Sequence, residues 1–232
     1  MISYAGQRLY GYRMTGNRKG KAGCGCLLFV VIVCMVLVAL LIHPFSLRVL
    51  TGLLVYQDKI VPSDALLVPR FFEDKNGEVY QEAFREFWAG NGKMIYVEDD
   101  QVLGMSVKEI VARMAKQRGI KEDVVKGLEL RSEDGALVSK LKERLAQLGV
   151  KKVVILVPEY ASRRFHLMYG SEEANDKVVF LVKPVSVSYF KREKWWANEF
   201  SRTALQRELY GLGSFYFSRF KYGAKSEDTG NK

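Results

Sequence analysis

The sequence predicts an α/β protein: a doubly wound parallel sheet with helices on both faces, preceded by one N-terminal transmembrane helix. Short apolar runs of four to six residues, separated by segments of helical periodicity, predict the sheet. An uncharged apolar stretch, Cys24–Ile42, predicts the membrane helix. The chain of 232 residues, 48% of them hydrophobic, holds one domain beyond that helix. This composition excludes a disordered chain and a many-helix transporter.

The uncharged stretch contains 19 residues, which as a helix would extend roughly 28 Å, close to the thickness of the hydrocarbon core. No small-x-small cleavage site follows it, which favours an uncleaved anchor over a cleaved signal peptide. Basic residues that precede it without an acidic residue among them are Arg8, Arg13, Arg18, Lys19 and Lys21. This asymmetry predicts a cytoplasmic N-terminus and an extracytoplasmic body. All three cysteines lie in this stretch, so the body has no disulfide framework and no cysteine zinc site.

The predicted organisation has five parts. They are a basic cytoplasmic leader (1–23), the transmembrane helix (24–42), a juxtamembrane connector (43–62), the α/β domain (63–222) and a disordered tail (223–232). Within the connector, Pro44–Tyr56 fits either an amphipathic helix on the bilayer surface or the end of the anchor helix.

The first half of the body alternates strands and helices. Continuous apolar runs at Ala65–Val68 and Met94–Val97 predict strands buried on both faces. Helical spacing predicts a helix over Glu78–Ala89 and another over residues 106–119, each ended by a glycine. The side chains expected to face inward are Val79, Phe84, Phe87, Val107, Ile110, Val111 and Met114.

The second half repeats the alternation. A short strand is predicted at Leu128–Leu130, and Lys152–Val157, the strongest strand of the chain, is expected at the centre of the sheet. Helices are predicted over Tyr160–Tyr169 and residues 201–220, with a strand at Val178–Val182 between them. A further helix, ended by a glycine, is lined by Leu137, Leu141, Leu145 and Leu148.

In such a sheet, ligands bind outside the carboxyl ends of the strands, at the point where the strand order reverses. Four arginines at these ends are candidates for binding an anion, since guanidinium groups hold phosphate or carboxylate bidentately: Arg70, Arg131, Arg163 and Arg164. Alternatively, some of them pair with adjacent carboxylates. The carboxylates of the same edge are Glu98, Asp99, Glu133, Asp134 and Glu159. We interpret most of these carboxylates as helix caps and solvated charges, and we predict no metal site.

The sequence lacks the motifs of nucleotide-binding loops and of a histidine–serine catalytic relay. No G-x-G-x-x-G follows the first strand and no G-x-x-x-x-G-K-[ST] occurs, so no cofactor is expected. The only histidines are His43 and His166, and their spacing does not support a catalytic relay with Ser132 or Ser162.

The net charge of +10 has two sources. Five of the basic residues belong to the leader. A second excess of basic residues lies in residues 183–225, which contain nine basic and three acidic residues. This distribution favours the lipid bilayer or a polyanionic envelope component as the partner, and not nucleic acid. Trp195 and Trp196 and the aromatic terminal helix suit core packing and also contact with anionic headgroups.

Four motifs occur in a familiar order. Ser63–Val68 is similar to an opening "aDaivVLG" strand, Leu148–Val157 to "lGvkkvilVT" and Glu159–Arg164 to "dyHmrRa". Trp195-Trp196 followed by Glu208–Leu212 is similar to a W and an "E-x-x-K" closing helix. From Asp64 to Tyr222, the chain thereby resembles the YdcF-like (SanA/ElyC-like) family of bacterial envelope proteins.

The sequence departs from the family pattern where chemistry would be carried. Pro69-Arg70-Phe71 replaces glycines, Glu98–Asp100 replaces small residues, Ser132–Ala136 stands at the "NTxENA" helix start, and Ala161 replaces the motif histidine. The resemblance implies a Rossmann-like fold and a role in maintaining the peptidoglycan barrier. It also implies a location in the bacterial inner membrane with the domain in the periplasm.

We therefore expect a non-catalytic or degenerate member of this family that binds an anionic cell-wall or lipid-linked precursor. One alternative is an active enzyme on phosphate- or sugar-containing envelope substrates, with Arg163 and Arg164 for the anion and Glu133, Asp134 or Glu159 as acid or base. The other is a membrane-tethered protein-interaction module.

Overall fold

The computed structural model describes residues 21–102, 104–128, 135–170 and 177–227. The chain divides after Ser46 into two compact units. In chain order, the elements begin with helices α1 (Lys21–Ile42) and α2 (Pro44–Leu54). The remaining elements are β1 (Ala65–Val68), α3 (Glu78–Trp88), β2 (Met94–Glu98), β3 (Gln101–Val102), β4 (Met105–Ser106), α4 (Val107–Lys116), β5 (Val125–Leu128), α5 (Gly135–Gln147), β6 (Lys152–Pro158), α6 (Ser162–Tyr169), β7 (Val179–Val185) and α7 (Glu199–Glu227).

Helix α1 covers the uncharged stretch, and its described apolar side chains from Leu27 to Leu40 are exposed. Among the described residues no single helix is long and apolar enough to cross a membrane, whereas the bent pair Leu27–Leu40 and Pro44–Leu54 qualifies by length and composition. Helix α2 is a separate element, because a bend at His43 ends α1. Pro44 starts α2, a position where the missing N–H costs nothing.

The main sheet is parallel throughout, with the strand order β5-β2-β1-β6-β7. Counted along the chain, its strands therefore stand in the order 3-2-1-4-5, and the order reverses between β1 and β6. The register is fixed by Leu66, which lies opposite Ile95 on one side and Val154 on the other. Strands β3 and β4 form a small antiparallel hairpin of their own. The predicted α/β class with a parallel sheet flanked by helices is confirmed.

The core lies on both faces of the sheet. Every residue of β1 and all but the first residue of β6 are buried, which requires cover on both sides. Helix α3 contributes Val79 and Phe84 to this core, as predicted. It is also tied to the edge strand β7, because the Lys183 ammonium donates to Glu82 (2.8 Å) and Glu86.

Three predictions about the elements are wrong in detail. Leu148 is 51% exposed, since α5 ends one residue earlier, and Val138 is buried with Leu141 and Leu145 instead. The third strand, β5, begins three residues before the predicted Leu128 because Val125 pairs with Ile95, and the predicted Glu129 and Leu130 lie outside the described residues. β1 takes the centre of the sheet and β6 lies beside it, paired on both sides.

Two of the predicted helix ends are confirmed. Gly90 follows α3 with φ 78° and Gly149 follows α5 with φ 75°, a left-handed conformation that side chains disfavour. Two other predicted helices have different bounds. Helix α7 begins before residue 201 and ends after residue 220. The helix predicted from Tyr160 starts as a short 3-10 turn before α6.

Candidate functional site

The ends of β1 and β6 mark the point where the strand order reverses, which in this topology is the position of a ligand crevice. The structure separates the predicted site residues there into three groups. The first follows β1 and β2, the second lies between β6 and the end of α2, and the third joins α6 to α7. Arg131, Glu133 and Asp134 lie outside the described residues.

Arg70, Glu98 and Asp100 form the first group. The backbone N–H of Arg70 donates to Glu98 Oε2 (2.8 Å), and its guanidinium forms an ion pair with Asp100. The guanidinium also lies 4.5 Å from the centre of the Phe72 ring. Burial raises the pKa of Glu98, and the adjacent Arg70 opposes that rise. Arg70 is therefore already balanced by protein carboxylates.

Asp99 supports the start of α4. Its Oδ1 accepts from the Ser106 hydroxyl (2.6 Å) and from the N–H of Lys108 (3.2 Å). Its other oxygen rests on Gly127, where an added Cβ would lie 2.6 Å from it. Asp99 thus has the capping role that the sequence favours for most of these carboxylates.

The N-terminus of α3 is filled by a side chain that sequence reasoning missed. In dinucleotide-binding sheets of this strand order, the helix after the first strand holds a pyrophosphate with its free N–H groups. Here the Asp74 carboxylate accepts from the N–H groups of Glu78 (2.8 Å) and Val79 (2.9 Å). Burial raises the pKa of Asp74, while these two bonds lower it, and the net shift is upward. The signal in the sequence was an aspartate four residues before the predicted helix start.

The second group connects the end of α2 with the end of β6. Ser162 Oγ accepts from the N–H of Tyr56 (2.8 Å) and donates to the carbonyl of Glu159 (2.8 Å). Arg163 Nε donates to the carbonyl of Leu53 (3.2 Å), and its guanidinium lies 5.4 Å from the centre of the Tyr56 ring. Burial raises the pKa of the Glu159 carboxyl. Arg163 therefore fastens α2 to α6.

The third group is a buried ion pair. Arg164 binds Glu208 of α7 bidentately, through Nε (2.7 Å) and Nη2 (2.8 Å). Glu208 is only 3% exposed. The sequence identified both residues, in two separate motifs, but their 44-residue separation gave no reason to pair them. Arg164 is consequently a structural cation in this fold.

Aromatic side chains pack where the strand order reverses. The ring of Phe71, after β1, lies 5.8 Å from that of Phe165 in α6. Tyr160, after β6, is buried with its ring centre 4.7 Å from that of Phe190. Burial raises the pKa of the Tyr160 hydroxyl, which keeps it protonated. Aromatic rings therefore fill this part of the edge, and the buried Tyr160 hydroxyl lies among them.

The described residues form neither a metal site nor a catalytic relay between His166 and Ser162. No group of three or more His, Cys, Asp or Glu side chains in the described ranges is arranged to hold a metal ion. The His166 ring stacks on Tyr56 with ring centres 3.6 Å apart, and the Ser162 hydroxyl bonds to backbone groups. Comparison of the chain with protein-family models, curated proteins and solved structures finds no significant match.

Proposed function

We propose that this protein is a single-pass protein of the bacterial inner membrane, with an extracytoplasmic domain that is a degenerate, non-catalytic member of the YdcF-like family. Its role is in maintaining the peptidoglycan barrier of the envelope. The proposal that the domain is non-catalytic rests on the N-terminus of α3. There the Asp74 carboxylate accepts hydrogen bonds from the N–H groups that would otherwise bind a phosphate.

Chain composition supports the anchor. The described part of α1 from Leu27 to Leu40 is uncharged with exposed apolar side chains, an arrangement that suits lipid far better than water. The basic leader before it supports a cytoplasmic N-terminus.

Two structural features support the family proposal. The strand order 3-2-1-4-5 matches the first five strands of the six-stranded Rossmann order. In addition, the motif that contains Arg164 and the closing-helix motif that contains Glu208 meet in the buried ion pair. Two of the four motifs that carry the resemblance therefore meet in this fold.

A deletion strain tests the role. We expect it to become more sensitive to cell-wall antibiotics and detergents, and we expect the full-length gene to restore resistance. If the domain is non-catalytic, Glu98→Gln and Glu159→Gln restore resistance fully at equal protein level. A deletion strain with unchanged sensitivity would overturn the envelope role.

An active enzyme on phosphate- or sugar-containing envelope substrates is the second candidate. It is favoured by the raised pKa of Glu98 beside Arg70, at the edge of the sheet where ligands bind in this topology. Loss of rescue by Glu98→Gln, with normal protein level, would replace the non-catalytic proposal with this one.

A further inference from the structure

Helix α2 is apolar on two opposite sides. From Leu47 onward, one side packs on the domain and buries Thr51 and Leu54. On the opposite side, Val49 (46%) and Leu53 (61%) are exposed, four residues apart and therefore one above the other. A helix that lies on a water-exposed surface normally carries polar residues on its outer side. Among the residues that the structure describes, none covers the exposed side chains of Val49 and Leu53.

Hydrogen bonds to two backbone carbonyls of α2 and a contact of its Thr51 side chain hold the helix in place. Trp195 Nε1 donates to the carbonyl of Leu47 (2.9 Å), and the Thr51 hydroxyl lies 3.4 Å from the carbonyl of Arg192. At the other end of α2, Arg163 donates to the carbonyl of Leu53. The 3-10 turn at residues 192–197 and α6 therefore hold α2 against the domain with Val49 and Leu53 pointing away.

Arg192 lies beside this apolar side, and further exposed basic residues lie in and beside its turn and on α2 itself. The guanidinium of Arg192 lies 3.4 Å from the position that a Cβ on Gly52 would occupy. Lys191 and Lys194, in and beside the same turn, are exposed, as is Arg48 on α2. The same turn carries the exposed Glu193, and the half-buried Glu159 interacts electrostatically with Arg192. We define the α2 surface as Arg48, Val49, Leu53, Lys191, Arg192 and Lys194.

We propose that the α2 surface lies on an anionic lipid bilayer, with Val49 and Leu53 among the acyl chains and the basic residues at the headgroups. The inference rests on the proposed membrane anchor, because α2 starts only two residues after α1 ends. Apolar residues bordered by Lys and Arg are the composition that interfacial helices use. Because α2 ends beside the carboxyl end of β6, that edge of the sheet would face the lipid, where lipid-linked precursors are found.

The test uses the full chain with Cys24, Cys26 and Cys34 replaced by alanine, so that one new cysteine can carry a fluorophore. The label is placed at Leu53→Cys, and the matched control is Lys126→Cys on the exposed part of edge strand β5. Both proteins are reconstituted into phosphatidylcholine vesicles with and without phosphatidylglycerol, each containing a spin-labelled quencher lipid. We expect several-fold stronger quenching at position 53 than at 126, increased by phosphatidylglycerol.

Charge reversal and salt provide the second measurement. Lys191→Glu, Arg192→Glu and Lys194→Glu together should remove the phosphatidylglycerol-dependent part of the quenching at position 53. Raising the salt to about 1 M, where the Debye length falls to about 3 Å, should do the same in the unreversed protein without a change of fold.

The outcomes distinguish a failure of the proposed α2 surface from a failure of the proposed membrane anchor. Retention of the chain in the vesicles after alkaline carbonate, with equal quenching at both positions, overturns the surface alone. Release by carbonate overturns the anchor and the surface together. A third outcome is that lipid does not quench the label at position 53 while two chains can be cross-linked. This would show that a second copy covers α2, and it would also overturn the proposal.

Discussion

Arg164, a predicted anion-site residue, forms a bidentate ion pair with Glu208 of α7. Both side chains are largely buried, and each depends on the other to balance its charge. Removing one partner leaves the other charged and desolvated, which costs far more than the pair contributes as a whole. The same logic is weaker for exposed pairs, where water screens the charge.

We therefore expect Arg164→Ala to lower the free energy of unfolding by about 3–5 kcal/mol. The control is Arg85→Ala, whose guanidinium is 74% exposed in its pair with Glu82 and should cost less than about 1 kcal/mol. Denaturant unfolding of the full chain in micelles, followed by tryptophan fluorescence, measures both. Equal values for the two variants would contradict the structural role of Arg164.

Asp64 provides a prediction about pH. The backbone N–H groups of Lys151 (2.9 Å) and Lys152 (3.0 Å) donate to its carboxylate and hold its pKa below the usual range. A lowered folded-state pKa contributes stability above the unfolded pKa, and that contribution is lost as the pH falls through the folded value. The stability difference between the wild type and Asp64→Asn should therefore be largest at neutral pH and should shrink below about pH 4.

Asp123→Asn is the control for this pH dependence, because it removes the same charge from an exposed position. Its unfolding free energy should follow that of the wild type across the same pH range. A difference for Asp64→Asn that stays constant with pH would rule out the carboxylate bonds as its source.

At the scale of single elements, the start of α3 depends on one carboxylate. Asp74→Ala removes the acceptor for two N–H groups and should cost about 0.5–2 kcal/mol. Asp74→Asn keeps one acceptor oxygen and should cost less. Chemical denaturation monitored by circular dichroism distinguishes the two, and an unchanged midpoint for Asp74→Ala would show that water replaces the cap.

The packing of β1 against the segment before β2 gives a second element-scale prediction. A Cβ on Gly92 would lie 2.5 Å from Leu66 Cγ in the core, so Gly92→Ala should destabilise by about 1–3 kcal/mol. Gly213 in α7 has open space around it, and Gly213→Ala should stabilise by about 0.5–1 kcal/mol because alanine favours helix. Melting temperatures that shift in the same direction for both variants would contradict this packing.

Strands with uniform apolar runs could be predicted from the sequence, whereas the bounds of edge strand β5 could not. β1 and β6 are buried on both faces, so each residue contributes to the signal. Edge strand β5 exposes Lys126, which weakens its pattern, and its position depends on pairing with β2. Asp74, Glu208 and Asp64 escaped sequence reasoning as structural partners because their contacts depend on how separate segments meet.

For the whole molecule, the orientation in the membrane can be tested directly. The leader has five basic residues and the chain after α1 has few before Asp58, which predicts an extracytoplasmic C-terminus. A C-terminal alkaline phosphatase fusion should be active and a fluorescent-protein fusion that folds only in the cytoplasm should be dark. The reverse pattern would overturn the topology and the periplasmic role together.

The sequence by itself determined the fold class, the order of most elements and the uncharged helix, because these depend on local composition and periodicity. The tertiary structure decided how the polar residues are used. It paired Arg70 with Asp100 and Arg164 with Glu208, and it left the outer side of α2 uncovered. These outcomes depend on which distant segments meet at the carboxyl edge of the sheet, and a one-dimensional pattern does not contain that information.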